Sequence, residues 1–219
     1  MMPMTLACRR LFSLFLLMIS LVAPPALATE TPAAPSASEE AQAFVETLVG
    51  RLSAIAGDET LADEARQLNL RTVLEEELAV EPIGKFLFAG APTDLATDKQ
   101  AAQYRALFPE YIAASFATEI GELAEREIRV QRAISRGGAE AIIQSELFDN
   151  AGRMRAKIDW RVRWIEDEPR LLDVMVERVS PLVTKRQEFS SLARREGVDA
   201  LLQHMQDTLD VDGAAETAE

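Results

Sequence analysis

The chain has 219 residues, with 23 Lys and Arg against 36 Asp and Glu, one Cys, one His and a formal net charge of −13. So acidic a chain lacks the basic footprint that attracts phosphate backbones, which argues against nucleic acid as a partner. A single cysteine makes no internal disulfide or thiolate cluster, and a single histidine leaves little for a His-rich metal site or triad chemistry.

The first 28 residues read as an address label. Arg9-Arg10 precedes an uncharged apolar run, Leu11 to Val22, then Pro24-Pro25 and the small-residue site Ala26-Leu27-Ala28. A basic start, a short apolar run and an A-x-A site predict a secretory signal peptide cleaved after Ala28. The run is shorter than the about 20 residues of a membrane span. Leu6-Ala7-Cys8 precedes the apolar run, where a lipoprotein box would follow it, so lipidation is not expected. Arg9-Arg10 with Phe12 is an incomplete twin-arginine pattern, and ordinary Sec export is favoured. Cleavage discards Cys8 and two arginines but no acid, which deepens the charge to −15. A cysteine-free exported protein must draw its stability from a hydrophobic core, and the bacterial periplasm is the expected compartment.

Residues 29–40 (TETPAAPSASEE) are Pro/Ala/Ser/Glu-rich and are expected to form a disordered leader. From Ala41 to Ala56, Phe44, Val45, Leu48, Val49, Leu52 and Ile55 recur at helical spacing and predict an amphipathic helix ending at Gly57. A second helical stretch follows Asp58, carrying Leu61, Ala65, Leu68, Val73, Leu74 and Leu78. Pro82 opens a short apolar segment through Gly90. Thr97 caps a long helix, Asp98 to about Ala124, with Tyr104, Leu107, Phe108, Tyr111, Ile112, Phe116 and Ile120 on one face; Pro109 predicts a kink or junction.

After Arg126 the period shortens to two. Ile128, Val130 and Ile134 alternate with polar neighbours, Gly137-Gly138 turns, and Ala141, Ile143, Ser145 and Leu147 alternate in a second strand. Asn150-Ala151-Gly152 turns again. In the third strand Met154, Ala156, Ile158, Trp160, Val162 and Trp164 point one way, and Arg153, Arg155, Lys157, Asp159, Arg161 and Arg163 the other. Glu166-Asp167-Glu168-Pro169 forms the next turn, and Leu172, Val174 and Val176 then alternate with Asp173, Met175 and Glu177. A closing helix runs from about Lys185 to Arg195, is interrupted at Gly197 and continues from Val198 to Leu209 before an acidic tail, residues 210–219. The expected fold is α+β: a four-stranded antiparallel meander whose apolar face is covered by helices.

Chemistry is sparse. His204 stands among apolar helix positions with no nucleophile motif nearby, and a half-buried or surface helix histidine is the favoured reading. Glu75-Glu76-Glu77 and Glu166-Asp167-Glu168 lack the spacing of a calcium loop, and no phosphate loop is present. The basic stripe of the third strand has two readings. It is a solvated outer face neutralised by cross-strand acids such as Asp173 and Glu177, or a docking patch for an acidic partner or lipid headgroups. The apolar face also has two: a filled core, which is its usual fate, or a pocket for a hydrophobic ligand.

Three stretches resemble the MlaC family, also called toluene-tolerance auxiliary proteins: Ile83 to Gly90; Ala96 to Gln100 with Phe108, Tyr111, Ile112 and Phe116; and Leu172 to Ser180 with Arg186 to Phe189 and Gly197 to Leu202. The likeness spans about residues 40–208. Ala91-Pro92-Thr93 stands where the family has a Tyr-Trp pair, Arg178 where it has Gly, and Phe116 where it has Tyr. The resemblance implies an NTF2-like curved sheet enclosing an apolar cavity with the helices, in one lipid-binding domain over residues 41–209. It implies a periplasmic phospholipid carrier of the Mla pathway, working between an inner-membrane MCE-domain ring on an ABC transporter and an outer-membrane lipoprotein–porin complex. No cofactor, metal or catalysis is implied, and a monomer is expected. The slot residues it suggests are Ile128, Val130, Ile143, Met154, Ala156, Ile158, Trp160, Val162, Val174 and Val176 from the strands, with Phe86, Leu107, Phe108, Tyr111 and Ile112 from the helices. A solute-binding or scaffold module on the same fold is the alternative, and a lipid hydrolase ranks third.

Overall fold

A computed structural model describes residues 36–89, 97–136 and 139–216. The proposed signal peptide, most of the leader, residues 90–96 and the Gly137-Gly138 turn lie outside them. The described residues form helices α1 (Ala37–Ala56), α2 (Asp63–Glu77), α3 (Val80–Phe88) and α4 (Asp98–Ala124), strands β1 (Glu127–Ser135), β2 (Glu140–Phe148), β3 (Met154–Ile165) and β4 (Glu168–Val176), and helices α5 (Pro181–Glu196) and α6 (Val198–Glu216). Their order and sheet make an α+β fold: the strands pair antiparallel in the order β1-β2-β3-β4, as the meander reading predicts.

Several boundaries differ from the expectation. Residues 36–40, assigned to the leader, cap and open α1. The Ser36 hydroxyl accepts from the Glu39 backbone N–H, and Glu39 reaches back to the Ser36 N–H at 2.7 Å, a reciprocal box that satisfies two orphan donors. Helix α6 likewise continues through residues 210–216 of the expected tail. Helix α5 starts at Pro181, with Ser180 as its N-cap, four residues before the expected start. Pro109 lies within one helix and is not a junction.

The helices cover one face of the sheet. Helix α1 packs across β1, β2 and β4, α4 lies against α2 and α6, and α3 sits beside α4 and α5. Small residues allow these approaches. A Cβ on Gly84 would meet the Phe108 ring at 3.0 Å, and one on Gly121 would meet Leu70 at 3.0 Å. The two sheet edges are treated differently. The β4 edge is covered where the α2–α3 connection pairs Leu78 in parallel with Leu171 and Ala79 N–H donates to Leu171 C=O at 2.8 Å. At the β1 edge the register shifts between Val130 and Arg132, a bulge that leaves Gln131 without a residue opposite it in the register.

A second register shift, between Arg161 and Val162, sets β4 differently from simple alternation. Leu171, Leu172, Asp173 and Val174 are all buried in succession. Asp173 keeps its place opposite Arg161 of the basic stripe, as the alternation suggested, but it is buried and not solvated.

Candidate functional site

Most of the inward strand residues converge in one buried cluster. Ile143, Ile158, Trp160 and Val162 have no solvent exposure, and Val174 is nearly as buried. From the helices Phe108, Tyr111 and Ile112 join the same cluster, with Phe86, Leu107, Ile128, Val130 and Ala156 half-buried against it. Val176 is half-buried near the end of β4. Met154 stands apart: at the start of β3 it is 50% exposed. The cluster also takes in Leu171 of β4, Phe189 of α5 and Leu201, Leu202 and Met205 of α6, which the slot set omits. Helical spacing in the last segment marks the three α6 residues, and the likeness over Arg186 to Phe189 marks Phe189.

This face is dry. Among the described residues Ser145 and Asp173 are the buried polar side chains. The Ser145 hydroxyl accepts from the Trp160 indole Nε1–H at 2.9 Å, which satisfies a donor that would otherwise be stranded in apolar surroundings. Asp173 lies where β4 gives way to α5. It accepts from Ser180 Oγ at 2.6 Å and from the Val174 N–H at 3.0 Å, while burial pushes its carboxyl above the ordinary carboxylate range. Ser180 Oγ in turn accepts from the Val183 N–H, so the carboxylate reaches α5 through its N-cap.

Rings line the helical side. Tyr104 contacts Phe88, Phe108 and Phe189, with centroids 4.7, 5.2 and 6.5 Å away, and Phe189 lies 5.7 Å from Tyr111. The Tyr104 hydroxyl donates to Gly84 C=O at 3.1 Å, and burial pushes its pKa up. His204 is exposed on α6 with its ring 6.4 Å from Tyr111, as the surface reading expects.

The outer stripe is partly paired, and Arg161 and Arg163 share Glu140 of β2. Arg161 donates to Glu140 Oε2 from Nε at 2.9 Å and from Nη2 at 2.7 Å, and Arg163 Nε donates to Oε1 at 2.9 Å. Burial alone would raise the Glu140 pKa, but the two guanidinium groups hold its carboxyl below the usual range. Arg153 Nε donates to Asp149 at 2.9 Å, while Glu177 accepts the Lys157 backbone N–H at 2.7 Å. Pairing of Arg161, Arg163 and Arg153 with carboxylates of the same face is what the solvated-face reading expects, while Lys157 meets Glu177 through its backbone alone. The acidic triplet on α2 is spoken for as well: Arg51 of α1 pairs with Glu76 and Glu77, and Arg71 with Glu75 and Glu110.

Open grooves flank the buried face. One of about 680 Å³ runs between α3 and α5, with Phe86 and Val183 beside Arg186, Arg194 and Arg195. Another, of about 480 Å³, lies between α1 and β1 and is bordered by Val49, Ile128 and Val130. A third, at the β2–β3 turn, mixes Arg126, Arg153 and Arg155 with Glu125 and Asp149.

Residues 42–207 match the model of the family described as MlaC protein. The chain belongs to the MlaC family. Among solved structures it is similar to a phospholipid-binding protein from Ralstonia solanacearum, determined in complex with a phospholipid. The two share 17% sequence identity over 80% of this chain and 99% of that one, with a TM-score of 0.62. That agreement shows that this MlaC-family chain shares its fold with the Ralstonia protein. No curated protein matches the sequence.

Proposed function

We propose that this MlaC-family protein carries a phospholipid, holds its acyl chains between the sheet and the helices, and moves it across the periplasm between an inner-membrane MCE-domain/ABC transporter complex and an outer-membrane lipoprotein–porin complex. The observation that carries the reading is the shared fold: the Ralstonia protein was solved with a phospholipid, and the same fold here presents a dry face built from Ile143, Ile158, Trp160, Val162 and Val174. The slot residues named from the sequence are the proposed contacts, with Met154 at its exposed margin.

Magnitudes say why a carrier is needed. Burying a CH2 group is worth about 0.8 kcal/mol, so two chains of roughly 15 carbons hold on the order of 20 kcal/mol of hydrophobic free energy. A lipid leaving a membrane unaided forfeits nearly all of it. A slot that returns most of that energy makes transfer possible without any bond chemistry, and the function needs no catalytic residue. Here the slot side chains pack on one another. Tails enter by replacing these contacts as the helices move away from the sheet, so the protein exchanges one apolar packing for another and the net cost stays small. Release requires a partner that favours the emptied packing.

The test is lipid analysis of the full chain expressed with its own N-terminus and purified without detergent. About one diacyl phospholipid per folded chain is expected, as a slot of this kind encloses one ligand. Mature protein beginning at Thr29 is expected from the periplasmic fraction. Protein that carries no lipid and accepts none from vesicles refutes the carrier reading.

A further inference from the structure

We propose that the groove between α3 and α5 binds the phosphodiester of the carried lipid's headgroup. The inference rests on the carrier reading above and adds a polar subsite to it.

Three observations carry it. The groove is lined by Phe86, Val183, Gln187, Arg186, Arg194 and Arg195 together with two serines, and no carboxylate is among the lining residues. In a chain with a net charge of −13 this is a local concentration of positive charge. The arginine clusters on the sheet each hold a carboxylate: Arg161 and Arg163 share Glu140, and Arg153 and Arg155 share Asp149. Arg195 is partly committed, donating to Ser191 Oγ at 2.6 Å with Glu196 at 3.8 Å, but among the described residues no carboxylate lies within 4 Å of Arg186 or Arg194.

The second observation is the placement of Phe86. It packs against the buried cluster and also lines the groove, so it is the seam between the apolar slot and the charged surface. The Arg186 guanidinium lies 4.6 Å over its ring. Stacking holds the guanidinium plane and leaves its N–H edges to donate, the geometry that takes two phosphate oxygens at once. A phospholipid changes from acyl ester to phosphate over a few bonds, and here the protein changes from aromatic ring to guanidinium over one contact.

The third is length. Val183, Arg186, Ser190 and Arg194 recur every three or four residues along α5, so the groove follows one helix face for about 16 Å at 1.5 Å per residue. That spans a phosphate and the head beyond it. Val183, 47% exposed, supplies an apolar wall at the end of the groove nearest the start of α5.

The experiment compares two lipids with the same tails. Delipidated full-length protein is equilibrated with vesicles holding equal amounts of dioleoyl phosphatidylglycerol and dioleoylglycerol in a phosphatidylcholine background, and bound lipid is identified by native mass spectrometry. The wild type is expected to prefer phosphatidylglycerol over dioleoylglycerol at least tenfold, as charge-assisted hydrogen bonds to a phosphate imply. The variants Arg186→Gln and Arg194→Gln are each expected to reduce that preference several-fold, with total lipid per chain unchanged because the tails still fill the slot. Equal selectivity in wild type and variants overturns the headgroup subsite while leaving the carrier reading intact. Chains that take up neither lipid overturn both. A further arm adds excess inorganic phosphate: competition with phosphatidylglycerol but not with dioleoylglycerol is expected, whereas phosphate binding that leaves lipid selectivity untouched marks a free-anion site and overturns the proposal.

Discussion

Replacing Ser145 by alanine tests whether the dry face is held together as described. The substitution removes one hydroxyl from a 2%-exposed position and leaves the Trp160 indole N–H facing only carbon. An unmet buried donor costs about 1–3 kcal/mol, so a loss of about 2 kcal/mol is expected. For a domain of this size each kcal/mol shifts Tm by about 2–4 °C, giving a fall of about 4–8 °C. Trp160→Phe removes the donor but also leaves a void, at a cost of about 2–4 kcal/mol. In the double variant the hydroxyl and the N–H are both gone, so its loss is expected to fall short of the sum of the single losses by about 1 kcal/mol. Urea unfolding monitored by circular dichroism measures all three, because the indole itself is altered in two of them. Strictly additive losses, or an S145A loss below about 0.5 kcal/mol, refute the claim that this hydrogen bond matters to the sheet. Both partners sit on neighbouring strands, so lipid loading is expected to leave the coupling unchanged even as the helices shift.

Gly84→Ala drives a methyl into the Phe108 ring at the α3–α4 contact and is expected to cost about 1–3 kcal/mol, read as a lower urea midpoint at unchanged slope. Glu177 and Arg178 form the β4–α5 turn with φ of 50° and 67°, so Arg178→Gly is expected to stabilise by about 1 kcal/mol; no rise in Tm contradicts this. Asp173 has a raised folded-state pKa, so its contribution is fully present below the unfolded pKa and is lost as pH rises through the folded value. Wild type is therefore expected to lose stability relative to Asp173→Asn as pH rises above the ordinary aspartate range, and a difference that stays constant with rising pH argues against it. Glu140 has the opposite sign: its depressed pKa gives stability above the unfolded value that disappears on acidification, so Glu140→Gln is expected to flatten the acid limb of the stability curve.

The sheet is legible in the sequence because one face is wet and the other dry, which imposes a period of two that few other arrangements produce. Burial along β2 alternates over its whole length as Ala141, Ile143, Ser145 and Leu147 predict. Where alternation fails, a bulge is responsible: the shift after Arg161 buries Asp173 beside Leu172 and Val174, and no pattern of hydrophobicity announces it. Alternation points to β4 for the partner of the basic stripe, and Asp173 does lie opposite Arg161 there, but register also places Glu140 of β2 opposite Arg163, and register follows from the turn rather than from charge. Helix starts are misread where composition outweighs capping. Ser36 with Glu39, and Ser180 before Pro181, are local start signals that a Pro/Ala/Ser/Glu-rich context or a preceding turn obscures. The slot set is legible as a set of buried residues.

A sheet with an uncovered edge faces the hazard of joining its neighbours strand to strand. The β4 side of the sheet is closed by Leu78 and Ala79, so β1 is the edge left to guard. Its bulge at Gln131 breaks the even ladder that a second copy would need. Exposed Glu127, Arg129 and Arg132 along the strand would set charges against those of any incoming edge in most registers. The irregularity in β1 thus works against edge-to-edge association between copies of the chain.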